Sequence, residues 1–334
     1  MATRQYSHRE RIERCFLAER SDAIPVALWR HFPGDDQHPL SLAAATAAFQ
    51  HQFDFDLIKI TPASSFSLKD WGARDEWKGS NEGTREYAAR VIHSPDEWEK
   101  LQVLDPQLGN LQNQLLCIRA LRSEFPAHTP LLQTIFNPLA QAKNLVGKDA
   151  LLFHMRQNPE ALHVGLKIIT ESTIRFLEEA IKLGIDGIFY AIQHAQLHLI
   201  TQAEFNTFSR PYDLQILRTS AALWCNMLHL HGENVMFECV CDYPVQILNW
   251  HDRQTLPTLQ EGKTQFSGTV CGGLRQWDTM LLATPDQVIA EARDAILQTE
   301  GRRFILGTGC VLPITTPYGN ILAATQVARQ GVIV

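Results

Sequence analysis

The chain has 334 residues, 45% of them apolar and 20% charged, enough to bury a real core and too apolar for a disordered chain. Thirty basic against thirty-six acidic residues leave a formal charge of -6, which excludes bulk electrostatic attraction to nucleic acid or to an anionic membrane. The length exceeds one ordinary domain yet suits a single α/β barrel with insertions.

The first twenty residues, MATRQYSHRERIERCFLAER, are charged and lack the apolar core of a secretory signal. No stretch reaches the roughly 20 apolar residues of a spanning helix. Seven scattered cysteines (Cys15, Cys117, Cys225, Cys239, Cys241, Cys271, Cys310) do not form the pattern of a small disulfide scaffold and read as reduced thiols, so a cytoplasmic protein is expected.

Along the chain, short apolar runs of strand length alternate with longer stretches of helical period, the rhythm of βα units. Strands are predicted at 24–30 (IPVALWR), 55–61 (FDLIKIT), 131–136 (LLQTIF), 185–191 (IDGIFYA), 226–231 (NMLHLH), 245–250 (VQILNW), 265–270 (QFSGTV) and 303–308 (RFILGT). The clearest helices are predicted at 161–183, 203–223 and 285–298, the last opened by Thr284-Pro285-Asp286, a capping residue followed by proline in the first turn. Eight strands with helical crossovers predict a (β/α)8 TIM barrel forming one domain over 1–334. The doubly wound alternative lacks a Gly-x-Gly-x-x-Gly after its first strand. Residues 64–99, rich in Gly, Ser, Trp and charge, break the repeat and read as an insertion after the second strand, a hairpin over the barrel mouth.

The most informative run is Leu228-His229-Leu230-His231-Gly232. Side chains alternate along a strand, so His229 and His231 share a face, at the strand end where barrel enzymes place their chemistry. Cys310 follows the eighth predicted strand and can reach the same mouth. Two imidazoles and a thiolate suit zinc with one position left open. The competing reading is a pair of hydrogen-bonded core histidines and a cysteine that merely packs. Cys239 and Cys241 read as packing residues, and Cys271 as a secondary ligand candidate.

His251 and Asp252 close the sixth predicted strand and could serve as a general base or as an oriented ligand. Arg30 suits an anion clamp, with a salt bridge to Asp35 or Asp36 as the alternative. Lys59 interrupts an apolar strand, and its burial implies either a functional charge or an ion pair with an acidic neighbour. Asn137 and Gln193 complete the substrate-binding candidates with Arg30 and Lys59.

Six segments carry a resemblance that runs nearly end to end: PVALWR (25–30), LLQTIFNPLAQAKNLVG (131–147), Phe208-Ser209-Arg210-Pro211-Tyr212, HLHGE, GTVCGGL, and LGTGCVLPITTPYGNILAA with its Thr316-Pro317 and Asn320. With them the chain resembles the uroporphyrinogen decarboxylase superfamily, which includes zinc methyltransferases acting with methylcorrinoid proteins. The resemblance implies a TIM barrel. The decarboxylase motif Arg-Gln-Ala-Gly-Arg-Tyr reads Arg30-His31-Phe32-Pro33-Gly34-Asp35 here, so only its first arginine matches. The decarboxylases' Asp falls at or near Thr61, their Tyr near Lys143 and their His at Thr308. The methyltransferase branch binds zinc through His-x-Cys on strand five and a further Cys on strand eight, positions matched by His229, His231 and Cys310, with His in place of the first Cys. The resemblance thus implies a metal-dependent methyltransferase working between a corrinoid, carried by a partner protein, or another donor and a thiol or small acceptor. His251 or Asp252 would be its base and Arg30 would orient an anionic substrate. Decarboxylation of uroporphyrinogen or another carboxylated aromatic, and non-catalytic tetrapyrrole or corrinoid binding, are the alternatives. The decarboxylases form dimers, so a homodimer is the expectation carried over.

Overall fold

The computed structural model describes residues 5–330. Its strands, in chain order, are β1 (Ile58–Ile60), β2 (Arg74–Glu76), β3 (Glu86–Ala89), β4 (Leu131–Phe136), β5 (Gly187–Ile192), β6 (Met227–Leu230), β7 (Ile247–Trp250), β8 (Thr269–Leu274) and β9 (Phe304–Thr308). The β2–β3 pair is antiparallel; the other seven form one parallel sheet ordered β1-β4-β5-β6-β7-β8-β9. Every residue of those seven strands is buried, as expected where helices cover one face and side chains fill the other.

The first predicted strand behaves differently. Residues 24–30 meet the sheet through isolated parallel bridges, Val26 to Leu306 and Arg30 to Leu312. Pro25 has no N–H to donate, and the Val26 N–H goes to the Asp56 carboxylate at 2.8 Å rather than to a neighbouring strand. The segment is nonetheless bonded on both sides. Leu306 N–H donates to Pro25 O and Ala27 N–H to Leu306 O, while Asp56 N–H donates to Val26 O. The curled sheet and this spanning segment are consistent with a TIM-like barrel.

Two further expectations need correction. The helix predicted over 203–223 breaks into Gln202–Phe208 and Arg210–Thr219, because Pro211 cannot continue the hydrogen-bond ladder and Ser209 turns inward to donate to Asp213. The strand predicted at 265–270 lies four residues later: Leu259–Gln265 is helical, and β8 runs on through Gly272 and Gly273. A Cβ on Gly272 would come within 2.3 Å of Asp252 Oδ1, so close strand packing there requires glycine. The predicted helices at 161–183 and 285–298 fall on Pro159–Lys182 and Pro285–Thr299, the latter with a Thr284–Gln287 capping box.

The insertion after β1 contains the β2–β3 hairpin, whose connecting loop lies on the segment following β9. Ile314 N–H donates to Asn81 O at 2.7 Å, and Thr315 Oγ1 to Asn81 Oδ1 at 2.6 Å. Arg85 anchors the hairpin base between Asp36 and Asp75. Among the described residues no helix is long and apolar enough to cross a membrane. All seven cysteines are free.

Candidate metal centre

Parallel pairing aligns the C-terminal ends of the strands, and four donors meet there. His229 lies in β6 and His231 just beyond it; His251 follows β7 and Cys310 follows β9. Their donor atoms all lie within 4.8 Å of one another. Cys310 Sγ is 3.8 Å from His229 Nε2 and 3.7 Å from His231 Nδ1. Donors bound to one tetrahedral ion at about 2.0–2.3 Å stand roughly 3.3–3.8 Å apart, so these spacings need little adjustment to close on zinc.

Register supplies the support. His229 pairs with Asn249 across β6 and β7, and its Nδ1 lies 2.7 Å from Asn249 Oδ1. The Asn249 amide NH2 donates to Cys271 O and Thr308 O, both at 3.0 Å, so its oxygen must be the acceptor for His229 Nδ1–H. That fixes the tautomer leaving the Nε2 lone pair toward Cys310, the arrangement in which an outer hydrogen bond orients a metal-ligating imidazole. Phe189 stacks on the His229 ring, with centroids 5.3 Å apart.

His251 is held similarly. Its Nδ1 lies 2.8 Å from Gln254 Oε1, while its buried Nε2 has no hydrogen-bond partner among the described residues. An orphaned buried nitrogen beside two imidazoles and a thiol is what a cation would satisfy. Burial keeps all three imidazoles in the neutral form a metal requires: His229 is pushed well below the usual range, His231 to about 4 and His251 downward. Burial pushes the Cys310 thiol up to about 11, so a nearby cation is needed to ionise it. The donor set fits zinc: three neutral nitrogens, one sulfur, and a supporting amide.

The other candidates separate. Asn137 is fully buried, capping the helix Pro138–Val146 and donating to Ser209 and Asp213, so its amide is committed to contacts within the fold. Lys59 is 7% exposed but makes no ion pair among the described residues. Its ammonium donates to Thr61 Oγ1 at 3.1 Å and lies 4.4 Å from the Phe189 ring centre, and burial pushes it down to about 7. Arg30 makes no salt bridge with Asp35 or Asp36. It donates to Ile314 O and packs over Phe32 and Phe49. Asp252 is buried against β8, accepting from Gly273 N–H at 3.0 Å, and burial raises it to about 7. Gln193 lines two clefts beside the cluster. Cys271 lies outside the cluster, fully buried between strands, and Cys239 and Cys241 bond locally to Gln202 and Phe237. The sequence offers His251 as a general base or as an oriented ligand; the structure places its ring among the four grouped donors.

Fold and cluster define an α/β protein with a parallel, barrel-like sheet and, at the strand ends, a group of three histidines and a cysteine that could hold a metal ion. Residues 9–331 match the family model described as uroporphyrinogen decarboxylase (URO-D), and the chain belongs to that family. No curated protein matches the sequence. Among solved structures, a methyltransferase from Methanosarcina mazei is similar at TM-score 0.86 and 18% identity, covering 98% of this chain and 99% of its own. A B12-independent methionine synthase from Shewanella sp. W3-18-1, in complex with selenomethionine, reaches TM-score 0.55 at 12% identity, with 92% of both chains covered. At these identities the likeness concerns the fold.

Proposed function

We propose that the protein is a zinc-dependent methyltransferase that moves a methyl group from a corrinoid, carried by a partner protein, to a small thiol. The four-donor cluster carries this reading, and similarity of fold to a methyltransferase supports it. His229, His231 and Cys310 would hold the ion, and zinc there supplies a Lewis acid that favours thiolate over thiol at the acceptor sulfur. His251 Nε2, which would complete the donor set in the resting site, would be the group displaced by the incoming thiol and would then take up its S–H proton. The sulfur would take the methyl carbon from the corrinoid substrate, with the electron pair of the cobalt–carbon bond left on cobalt. Phe189, buried, stacks on the His229 ring with the buried Lys59 ammonium 4.4 Å from its own ring centre.

Elemental analysis of the purified protein, as isolated and after incubation with zinc, tests this reading. One zinc per chain is expected, with loss in His229→Ala and Cys310→Ala. Zinc-loaded protein should consume methylcobalamin only when a thiol is present. Failure to bind zinc, or conversion of uroporphyrinogen to coproporphyrinogen in place of methyl transfer, would sink it.

A further inference from the structure

Beside His231 the protein wall changes character. Two clefts, of about 410 and 470 Å3, share Arg90, Lys143 and Gln193. The first is also lined by Lys148, His194 and His231, so it opens onto the donor cluster. Its size is that of a pocket for a small molecule.

Three cations meet here, and among the described residues none of them pairs with a carboxylate. Arg90, delivered by the segment leaving the β2–β3 hairpin, donates Nη1 to the carbonyls of Lys143 and Asn144 at 3.3 and 2.9 Å, which leaves its Nε and Nη2 hydrogens uncommitted. Lys143 and Lys148 have no hydrogen-bond partner among the described residues. The carboxylate on the second cleft, Glu86, pairs with Lys78 on the hairpin at 3.2 Å. His194 is 5% exposed, and its Nδ1 has no hydrogen-bond partner among the described residues. Burial, with Lys143 next, holds that imidazole neutral, and burial lowers Lys143 to about 8 with Arg90 and Lys148 adding to the effect. Like charges gathered in a half-buried pocket repel one another and lose hydration. An entering anion reverses both penalties.

We propose that this cleft binds a dianionic oxyanion group, of the phosphate or dicarboxylate kind, with Arg90 presenting a two-pronged fork, Lys143 and Lys148 supplying charge, and His194 Nδ1 adding a neutral contact. As a statement about substrate, that the anionic tail belongs to a molecule whose reactive end reaches the cluster past His231, it rests on the transferase reading above. Anion binding itself needs no metal.

Isothermal titration of the metal-free and zinc-loaded protein with inorganic phosphate, and separately with succinate, at constant ionic strength in chloride, tests the proposal. At least one dianion should bind both forms. Arg90→Gln and Lys143→Gln should each weaken it about tenfold or more, and Lys148→Gln, at the exposed rim, less. Arg90→Lys should retain part of the affinity, since charge remains while the fork is lost. His229→Ala should leave dianion binding unchanged. Should zinc fail to bind while phosphate or succinate still does, the anion site stands and the transferase reading falls. The proposal is overturned if neither dianion binds more tightly than chloride, or if a folded Arg90→Gln/Lys143→Gln double variant binds like the parent.

Discussion

Asn249 is the residue on which the donor geometry of His229 depends. Its amide is locked by the carbonyls of Cys271 and Thr308, so its oxygen can only receive the His229 Nδ1 hydrogen. Replacing it with Ser leaves His229 free to adopt either tautomer and several ring angles. Outer hydrogen-bond partners of metal-binding imidazoles typically contribute 10–100-fold in affinity, so Asn249→Ser should weaken zinc binding by about that factor in a chelator competition. Unchanged affinity in a folded variant would show that the neighbouring strand does not set the tautomer. This dependence was invisible in the sequence. Alternation along one strand sufficed to pair His229 with His231, and a second strand end sufficed to bring in Cys310. Asn249 required the register between β6 and β7, which no local pattern encodes. His251 lies one residue past β7, where the chain leaves the pleat and period-2 reasoning no longer says where a side chain points. For Lys59 the ion-pair reading gives way: aromatic faces and a hydroxyl take the place of the carboxylate.

At the scale of elements, the parallel strands were legible because buried strands are continuous apolar runs, and the errors cluster where one residue has two uses. Glycines 272 and 273 lie beyond the predicted strand yet serve as close-packing positions inside β8. The hairpin insertion was legible by composition, but not the contact that seats it. Gly83 has φ +75°, and a Cβ there would lie 2.5 Å from His31 Cβ. A left-handed non-glycine residue costs roughly 1–2 kcal/mol before any clash is counted. Gly83→Ala should therefore lower global stability by about that amount or less, since the hairpin can lift, while loosening the tip from His31 and Ile314. Hydrogen exchange should show faster exchange across 81–89, with the β4–β9 amides nearly unaffected. Uniform loss of protection over the whole sheet would mean that the hairpin is integral to the barrel rather than a cover laid upon it.

For the whole molecule, the decisive contact lies where the curled sheet meets its own edge. Asp56 is fully buried and accepts from Val26 N–H at 2.8 Å and from Arg329 Nη1 at 2.7 Å; its carboxylate also contacts Arg11 and His8. One carboxylate thereby joins the segment spanning β9 and β1, the N-terminal helix His8–Phe16 and the C-terminal helix Tyr318–Arg329. Burial alone would raise Asp56, but Arg329, His8 and Arg11 outweigh it and hold the group well below the usual carboxylate range. A carboxyl depressed in the folded state contributes stability above its unfolded value near 3.9, and that contribution is lost as pH falls toward the folded value. Asp213 works in the opposite sense. Burial raises it to about 6 despite hydrogen bonds from Ser209, Tyr190, Asn137 and Tyr243, so its contribution to stability should fall as pH rises from about 4 to 6, and Asp252, raised by burial to about 7, extends the same decline. Urea unfolding across pH 2–8 separates the two groups. Asp213→Asn should flatten the limb between pH 4 and 6 and leave the acid limb alone. Asp56→Asn should flatten the limb below about pH 5, starting from a lower plateau. Asp56→Ala, which strips a partner from the buried Arg11, should cost about 3–5 kcal/mol at neutral pH. Parallel acid limbs in wild type and Asp56→Asn would mean that the carboxylate charge is not what fastens the two chain ends to the closing segment, and that apolar packing across the seam suffices.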